Sequence, residues 1–206
     1  MEIIVNVAQS LNGFISGPGG KTARISSPSD QIRVHMLRAS VDGILVGANT
    51  VICDNPDLTA RPEDGTVVRP ARIILDGGLR IPRDSRVLDS RSRTLVFTSV
   101  RDREIDGAEL LVSPPVELTV PHIIDVLQEL GMKKILIEGG ANVISQFVES
   151  LAVTRFYLFI GQVIMPEGGV RLFSPNKEIE GAIRSSRIEP GGILLELDPE
   201  KLVNAK

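Results

Sequence analysis

The sequence predicts an α/β protein: a mostly parallel mixed sheet, helices on both faces, and an antiparallel hairpin at one edge. Three observations predict it. Short runs dense in β-branched residues recur along the chain, at 3–8, 44–46, 71–75, 94–98, 110–112, 134–137 and 155–160. Helical stripes separate several of these runs, and strands joined through helices run parallel under a helical cover. Near the end, 183–188 and 193–197 flank Glu189-Pro190-Gly191-Gly192, a hairpin turn. No linker divides the chain, so residues 1–206 read as one domain.

The elements follow in order. Ile3-Ile4-Val5-Asn6-Val7-Ala8 reads as a buried strand. Gly17-Pro18-Gly19-Gly20 reads from composition as a surface hairpin, the alternative being a loop that folds over a ligand. Ser27 caps a helix with Pro28 at its first position and Asp30 closing the cap. Ile32, Met36 and Ala39 form the apolar stripe of that helix, and Arg38 near its end suits a carbonyl cap, a surface pair or a phosphate ligand. Strand 44–46 breaks into Gly47-Ala48-Asn49-Thr50. Strand 71–75 ends in Asp76-Gly77-Gly78, and strand 94–98 in Ser99-Val100-Arg101. Such ends fit the rim of a nucleotide pocket, with Gly78 among the cofactor-binding residues. A helix spans 121–130, its stripe Ile123, Ile124, Leu127 and Leu130, and Gly131 ends it. Strand 134–137 runs into Glu138-Gly139-Gly140-Ala141-Asn142 ahead of helix 143–151. Glycines there let backbone N–H groups approach a pyrophosphate, although tight strand–helix turns use Gly-Gly without a ligand.

The stretch 37–61 carries the strongest functional signal. A buried strand spills into polar residues, and open α/β sheets bind ligands just past strand ends. Thr50 offers a hydroxyl, Asp54 a carboxylate and Arg61 a guanidinium, a set suited to a sugar phosphate and a polar cofactor.

Composition excludes several classes. Aromatic residues are 3% of the chain, without Trp, and the net charge is −3, which disfavours a nucleic-acid groove. A single cysteine, Cys53, removes disulfide frameworks and multi-Cys zinc sites, and it reads as packing. His35 and His122 lack ligand spacing and read as helix-surface or interface residues, so no metal site is expected. A G-x-S-x-G elbow, a P-loop and a G-x-G-x-x-G after the first strand are all absent. The N-terminus lacks the order of a signal peptide and no apolar run would span a bilayer, so a cytoplasmic location is expected.

In order along the chain stand Ser10-Leu11-Asn12-Gly13, Arg24-Ile25-Ser26-Ser27-Pro28, Leu37-Arg38-Ala39, Asp42-Gly43-Ile44-Leu45-Val46-Gly47, Thr50-Val51, Asp54-Asn55-Pro56-Asp57-Leu58-Thr59 and Glu138-Gly139-Gly140. This set resembles the riboflavin-biosynthesis reductase family over nearly the whole chain. The resemblance implies a three-layer α/β/α dihydrofolate-reductase-like fold and reduction of a ribosylaminopyrimidine phosphate by NADPH. The Arg24-Ile25-Ser26 variant and the free-standing length resemble the archaeal and fungal branch. There the substrate is 2,5-diamino-6-ribosylamino-4(3H)-pyrimidinone 5′-phosphate. No deaminase zinc motif is present.

The same resemblance implies that Thr50, Asp54, Gly139, Gly140, Ala141, Asn142 and Val143 hold NADPH, with Ala8 and Arg24 beside the nicotinamide half. Thr22, Arg38, Leu58, Arg61 and Glu138 would hold substrate, Glu138 also serving catalysis. Arg80, Arg83 and Arg101 are each able to meet a 2′-phosphate. A homodimer is implied, for which 156–160 and the final hairpin supply a candidate contact. Asn12 departs from the family's usual Asp and cannot donate a proton as an acid does; ligand binding or turn fixation remain open to it. The competing readings are a reductase of the deaminated pyrimidine or of a pterin, and a non-catalytic sugar-phosphate-binding module.

Overall fold

The computed structural model of the chain describes residues 1–173 and 180–203. Its strands are β1 (Glu2–Gln9), β2 (Phe14–Ser16), β3 (Gly43–Gly47), β4 (Ala71–Leu75), β5 (Thr94–Thr98), β6 (Glu109–Val112), β7 (Lys134–Gly139), β8 (Arg155–Gly161), β9 (Val170–Arg171), β10 (Ile183–Glu189) and β11 (Gly192–Leu197). Its helices are α1 (Pro28–Ala39), α2 (Ala48–Asp54), α3 (Val120–Glu129) and α4 (Ala141–Glu149).

The main sheet runs β10-β11-β8-β1-β7-β3-β4-β5-β6. Every neighbouring pair from β8 to β6 is parallel, and β11 and β10 close one edge antiparallel. The mostly parallel sheet with a terminal hairpin is therefore as expected. The chain leaves a slot between β1 and β3 that β7 fills later, making a topological switch point there.

Apolar residues on both faces of the strands explain their continuous hydrophobic runs. On one face Ile3, Val5, Leu45, Ile73, Leu95, Ile135 and Ile137 pack with Ile123 and Leu127 of α3 and with Ile144 and Phe147 of α4. On the other, Ile4, Ile44, Val46, Ile74, Val96 and Leu136 meet Val51 of α2, Leu37 of α1 and the segment 79–88. Each fully buried aliphatic or aromatic side chain contributes about 1.5–3 kcal/mol, so either layer suffices to fix its helices.

Two local expectations need correction. Ile32 and Met36, read as the inward stripe of α1, are 37% and 60% exposed. The helix instead turns its polar stripe inward, where a cleft rather than a core awaits it. Ala48, Asn49 and Thr50, read with Gly47 as a polar break after β3, instead begin helix α2, which Asn55 ends in the left-handed conformation at φ 41°. Burial of Ala48 and Val51 overrides the weak helix propensity of Asn49 and Thr50. The Ser27 cap is as expected, its Oγ accepting from the Asp30 amide at 3.2 Å.

The loop after α2 is tied down by Arg72, a fully buried arginine in β4. Its guanidinium donates to the carbonyls of Asp57, Val87 and Asp89 and to the Asp89 carboxylate, at 2.9–3.0 Å. A buried charge is tolerable only when so completely paired. Among the described residues no helix is long and apolar enough to cross a membrane, and no group of three or more His, Cys, Asp or Glu could hold a metal ion.

Candidate active site

Because β1, β3, β4 and β7 run parallel, their carboxyl ends open on one edge, where a cleft of about 870 Å³ lies. Asn6 and Ala8 come from β1, Gly47 from the end of β3, and Leu75 from β4. Glu138 and Gly139 end β7, and Gly140 to Val143 begin α4. α2 adds Thr50, Cys53 and Asp54, while α1 contributes Gln31, Val34, His35 and Arg38, one stripe at helical spacing. Gly19, Gly20 and 23–26 complete the lining.

Gly139 sits at φ +148°, a conformation that side chains disfavour, and a Cβ there would lie 3.4 Å from the Thr50 hydroxyl. Thr50 thus stands directly over the Gly139–Gly140 turn. α4 follows with no side-chain cap at Gly140, so the first-turn amides of Ala141, Asn142 and Val143 face the cleft without helical partners. Such an end favours an anion. Absent side chains at the turn and unpaired donors beyond it fit the pyrophosphate of a dinucleotide.

Arg38 and Glu138 form the charged centre. Arg38 Nε donates to Glu138 Oε1 at 2.7 Å and Nη2 to Oε2 at 2.6 Å, while Nη1 reaches the Thr59 carbonyl at 3.2 Å. The side chains are 19% and 9% exposed. Burial alone would make Arg38 easier to deprotonate, but the facing Glu138 carboxylate outweighs it and raises its pKa. His35 lies one turn earlier. Its Nδ1 accepts from the Arg61 amide at 3.3 Å. Burial and the Arg38 and Arg61 cations lower its pKa, against the opposing pull of Glu138 and Asp57.

The cleft gathers Ala8, Arg24, Arg38, Thr50, Asp54, Glu138, Gly139, Gly140, Ala141, Asn142 and Val143 from the expected set. Four expected residues do not line it. Thr22 hydrogen-bonds Asp54 through its hydroxyl, tying the 17–26 segment to α2. Leu58 is 2% exposed and packs in the core at φ 50°. Gly78 lies in the turn after β4, where its added Cβ would meet only Arg80. Arg61 pairs with Asp57 at 2.7 Å and is half exposed, meeting the cleft residues only through its amide to His35. Asp57 also receives Arg86 at 3.0 Å. Burial would raise the Asp57 pKa, but donors from Arg61 and Thr59 hold it at about 2.

Of the three candidate arginines only Arg80 lines the cleft. Its amide and that of Ile81 are held by the buried Asp76 carboxylate at 2.5 and 2.9 Å. The 17–20 segment, read as a surface hairpin, forms a short 3-10 turn at Pro18–Gly20 whose Gly19 and Gly20 line the cleft. Cys53, read as packing, is exposed and borders the cleft. His35, read as a helix-surface or interface residue, lines it; its spacing to Arg38 was the available signal. His122 bonds the Ser113 hydroxyl at 2.8 Å. Asn12 fixes a turn. Its amide donates to the Met165 carbonyl at 2.8 Å while its oxygen accepts the Met165 N–H at 3.0 Å.

Residues 1–192 match the family described as RibD C-terminal domain. A protein of Archaeoglobus fulgidus named 2,5-diamino-6-ribosylamino-4(3H)-pyrimidinone 5′-phosphate reductase is 32% identical over 177 residues, covering 79% of this chain and 81% of that one. The riboflavin biosynthesis protein RibD of Aquifex aeolicus is 33% identical over 173 residues, 81% of this chain and 48% of that one. The chain thus spans about half the length of such RibD proteins. Among solved structures, the deaminase/5-amino-6-(5-phosphoribosylamino)uracil reductase of Thermotoga maritima superposes with a TM-score of 0.83 at 27% identity, covering 96% of this chain and 56% of that one.

Proposed function

We propose, from the premise that the chain belongs to the RibD C-terminal domain family, that it is an oxidoreductase of riboflavin biosynthesis. It reduces the ribosylamino group of 2,5-diamino-6-ribosylamino-4(3H)-pyrimidinone 5′-phosphate to the ribitylamino form, with NADPH as reductant. The observation that carries this reading is one cleft in which an uncapped helix start beneath Thr50 adjoins the Arg38–Glu138 pair. The archaeal reductase at 32% identity supports the substrate.

A bound nicotinamide cofactor supplies the hydride. The remaining work belongs to the chain. The Gly139–Gly140 turn and the amides of 141–143 would hold the cofactor's pyrophosphate, with Thr50 and Asp54 alongside, and Ala8 and Arg24 would border the nicotinamide half. Arg80, which lines the cleft, would read the 2′-phosphate. On the substrate, the C1′–O4′ bond breaks as O4′ takes a proton from solvent and the nitrogen lone pair forms a C1′=N bond, so the nitrogen, keeping its own proton, carries positive charge. Hydride addition to C1′ would return an electron pair to that nitrogen and neutralise it. Glu138, oriented by Arg38, stabilises positive charge on that nitrogen as it develops. Fixing C1′ against the hydride donor is the larger contribution the fold makes.

The test follows absorbance of the reduced nicotinamide with each pyrimidine in turn. Turnover of the diamino compound in preference to the deaminated one is expected. Preference for the deaminated compound would favour the second reading, to which the Thermotoga maritima likeness lends support. No NADPH binding by calorimetry, together with no turnover of either compound, would favour the non-catalytic sugar-phosphate-binding module.

A homodimer belongs to the same proposal. Phe156, Leu158 and Phe159 are buried within the single chain, which leaves only the half-buried Tyr157 and Ile160 of that run for the contact. Ile183, Ile188 and Ile193 of the hairpin are 60%, 86% and 40% exposed and support that face instead.

A further inference from the structure

His35 is the cleft residue whose chemistry the reading above leaves unused. It projects from α1 in the stripe Gln31, Val34, His35 and Arg38 that faces the cleft. Its two ring nitrogens differ in what they can do. Nδ1 is occupied, accepting the Arg61 backbone amide at 3.3 Å. A backbone N–H only donates, so Nδ1 must keep its lone pair and the ring proton must sit on Nε2. The charged groups facing the ring are Arg38 on its own helix, Arg61 on the loop beyond α2, Glu138 on β7 and Asp57. Burial and the two cations prevail and hold the imidazole pKa below its ordinary value.

The ring is therefore a donor in one direction only. With Nδ1 engaged, Nε2–H is the group the ring offers the cleft, a hydrogen-bond donor suited to recognition. We propose that His35 binds substrate, its Nε2–H donating to an oxygen of the ribosylaminopyrimidine phosphate in the cleft. The proposal rests on the reductase reading. In it the loop carrying Leu58 and Arg61 serves the site at second hand: the Arg61 backbone fixes the imidazole tautomer, and the imidazole meets the ligand.

Three substitutions separate a binding role from a structural one, because amide side chains mimic the two ring nitrogens separately. In His35→Gln the amide nitrogen falls near the position of Nε2 and keeps the donor. In His35→Asn the amide oxygen falls near Nδ1 and keeps the acceptor for the Arg61 amide, but no donor reaches the ligand. His35→Leu keeps neither. Steady-state turnover with NADPH is measured for each, together with thermal melting.

For His35→Leu and His35→Asn, the KM for the pyrimidine should rise by about tenfold or more, the worth of a hydrogen bond of about 1.4 kcal/mol. Their kcat and KM for NADPH should change little. His35→Gln should restore the pyrimidine KM to within about threefold. Rescue by Asn and not by Gln would overturn the proposal in favour of a purely structural imidazole, as would an unchanged pyrimidine KM in His35→Leu. Wild-type protein inactive on either pyrimidine would instead overturn the reductase reading on which it stands.

Discussion

Replacing Arg38 with Met removes the partner of a carboxylate that the fold has largely withdrawn from water. Glu138 is 9% exposed and receives both Arg38 donors, at 2.7 and 2.6 Å. Breaking a buried pair by deleting one member costs about 3–5 kcal/mol, since the remaining charge keeps its desolvation penalty and loses its compensation. Arg38 is itself 19% exposed, so the lower figure of about 3 kcal/mol applies. For 206 residues, an unfolding entropy of about 2.1 cal/mol/K per residue comes to about 0.43 kcal/mol/K, and Tm should fall by about 7 °C. The double variant Arg38→Met/Glu138→Met replaces the pair with apolar groups of similar volume. It should melt within about 3 °C of wild type, because neither charge is then stranded. Scanning calorimetry of the wild type, both single variants and the double variant gives the coupling free energy, expected at about 2 kcal/mol or more. A coupling below about 0.5 kcal/mol, with single-variant costs that simply add, would refute the view that Arg38 exists to hold Glu138.

Asp57, nine-tenths buried, has a folded pKa of about 2 against an ordinary value of 3.8. A depressed carboxylate stabilises the fold above its unfolded pKa and loses that contribution as pH falls through the folded one. Urea unfolding should therefore show wild type ahead of Asp57→Asn by about 2 kcal/mol at pH 6, with the gap closing as pH drops from 4 towards 2; an unchanged gap at pH 3 would count against it. Arg80→Gln should lower the preference for NADPH over NADH in kcat/KM by about tenfold, the worth of a charge-assisted bond, and an unaltered preference would remove Arg80 from the 2′-phosphate. Asn12→Asp strips the donor from the Met165 carbonyl and should cost about 1–3 kcal/mol of stability without raising kcat; faster turnover would show that an acid at this position takes part in the chemistry.

The periodic apolar runs determined the strands, and their alternation with helical stripes determined the parallel sheet. These patterns are local, since a strand buried on both faces must be apolar throughout wherever it lies. The Gly139–Gly140 turn was legible for a similar reason, because its requirement is for missing side chains. The sequence misjudged α1, whose exposed Ile32 and Met36 and cleft-facing His35 and Arg38 invert the usual amphipathic reading. Periodicity reveals a stripe without saying whether a core or a cavity lies beneath it. Nor could it tell that Arg61 would turn to Asp57 while Arg38 turned to Glu138, a hundred residues away. Which carboxylate an arginine meets depends on strand order, and strand order placed β7 beside β3 only because the late strand fills the slot left after β1. The residue types carried the chemistry; long-range pairing decided which of them could share it.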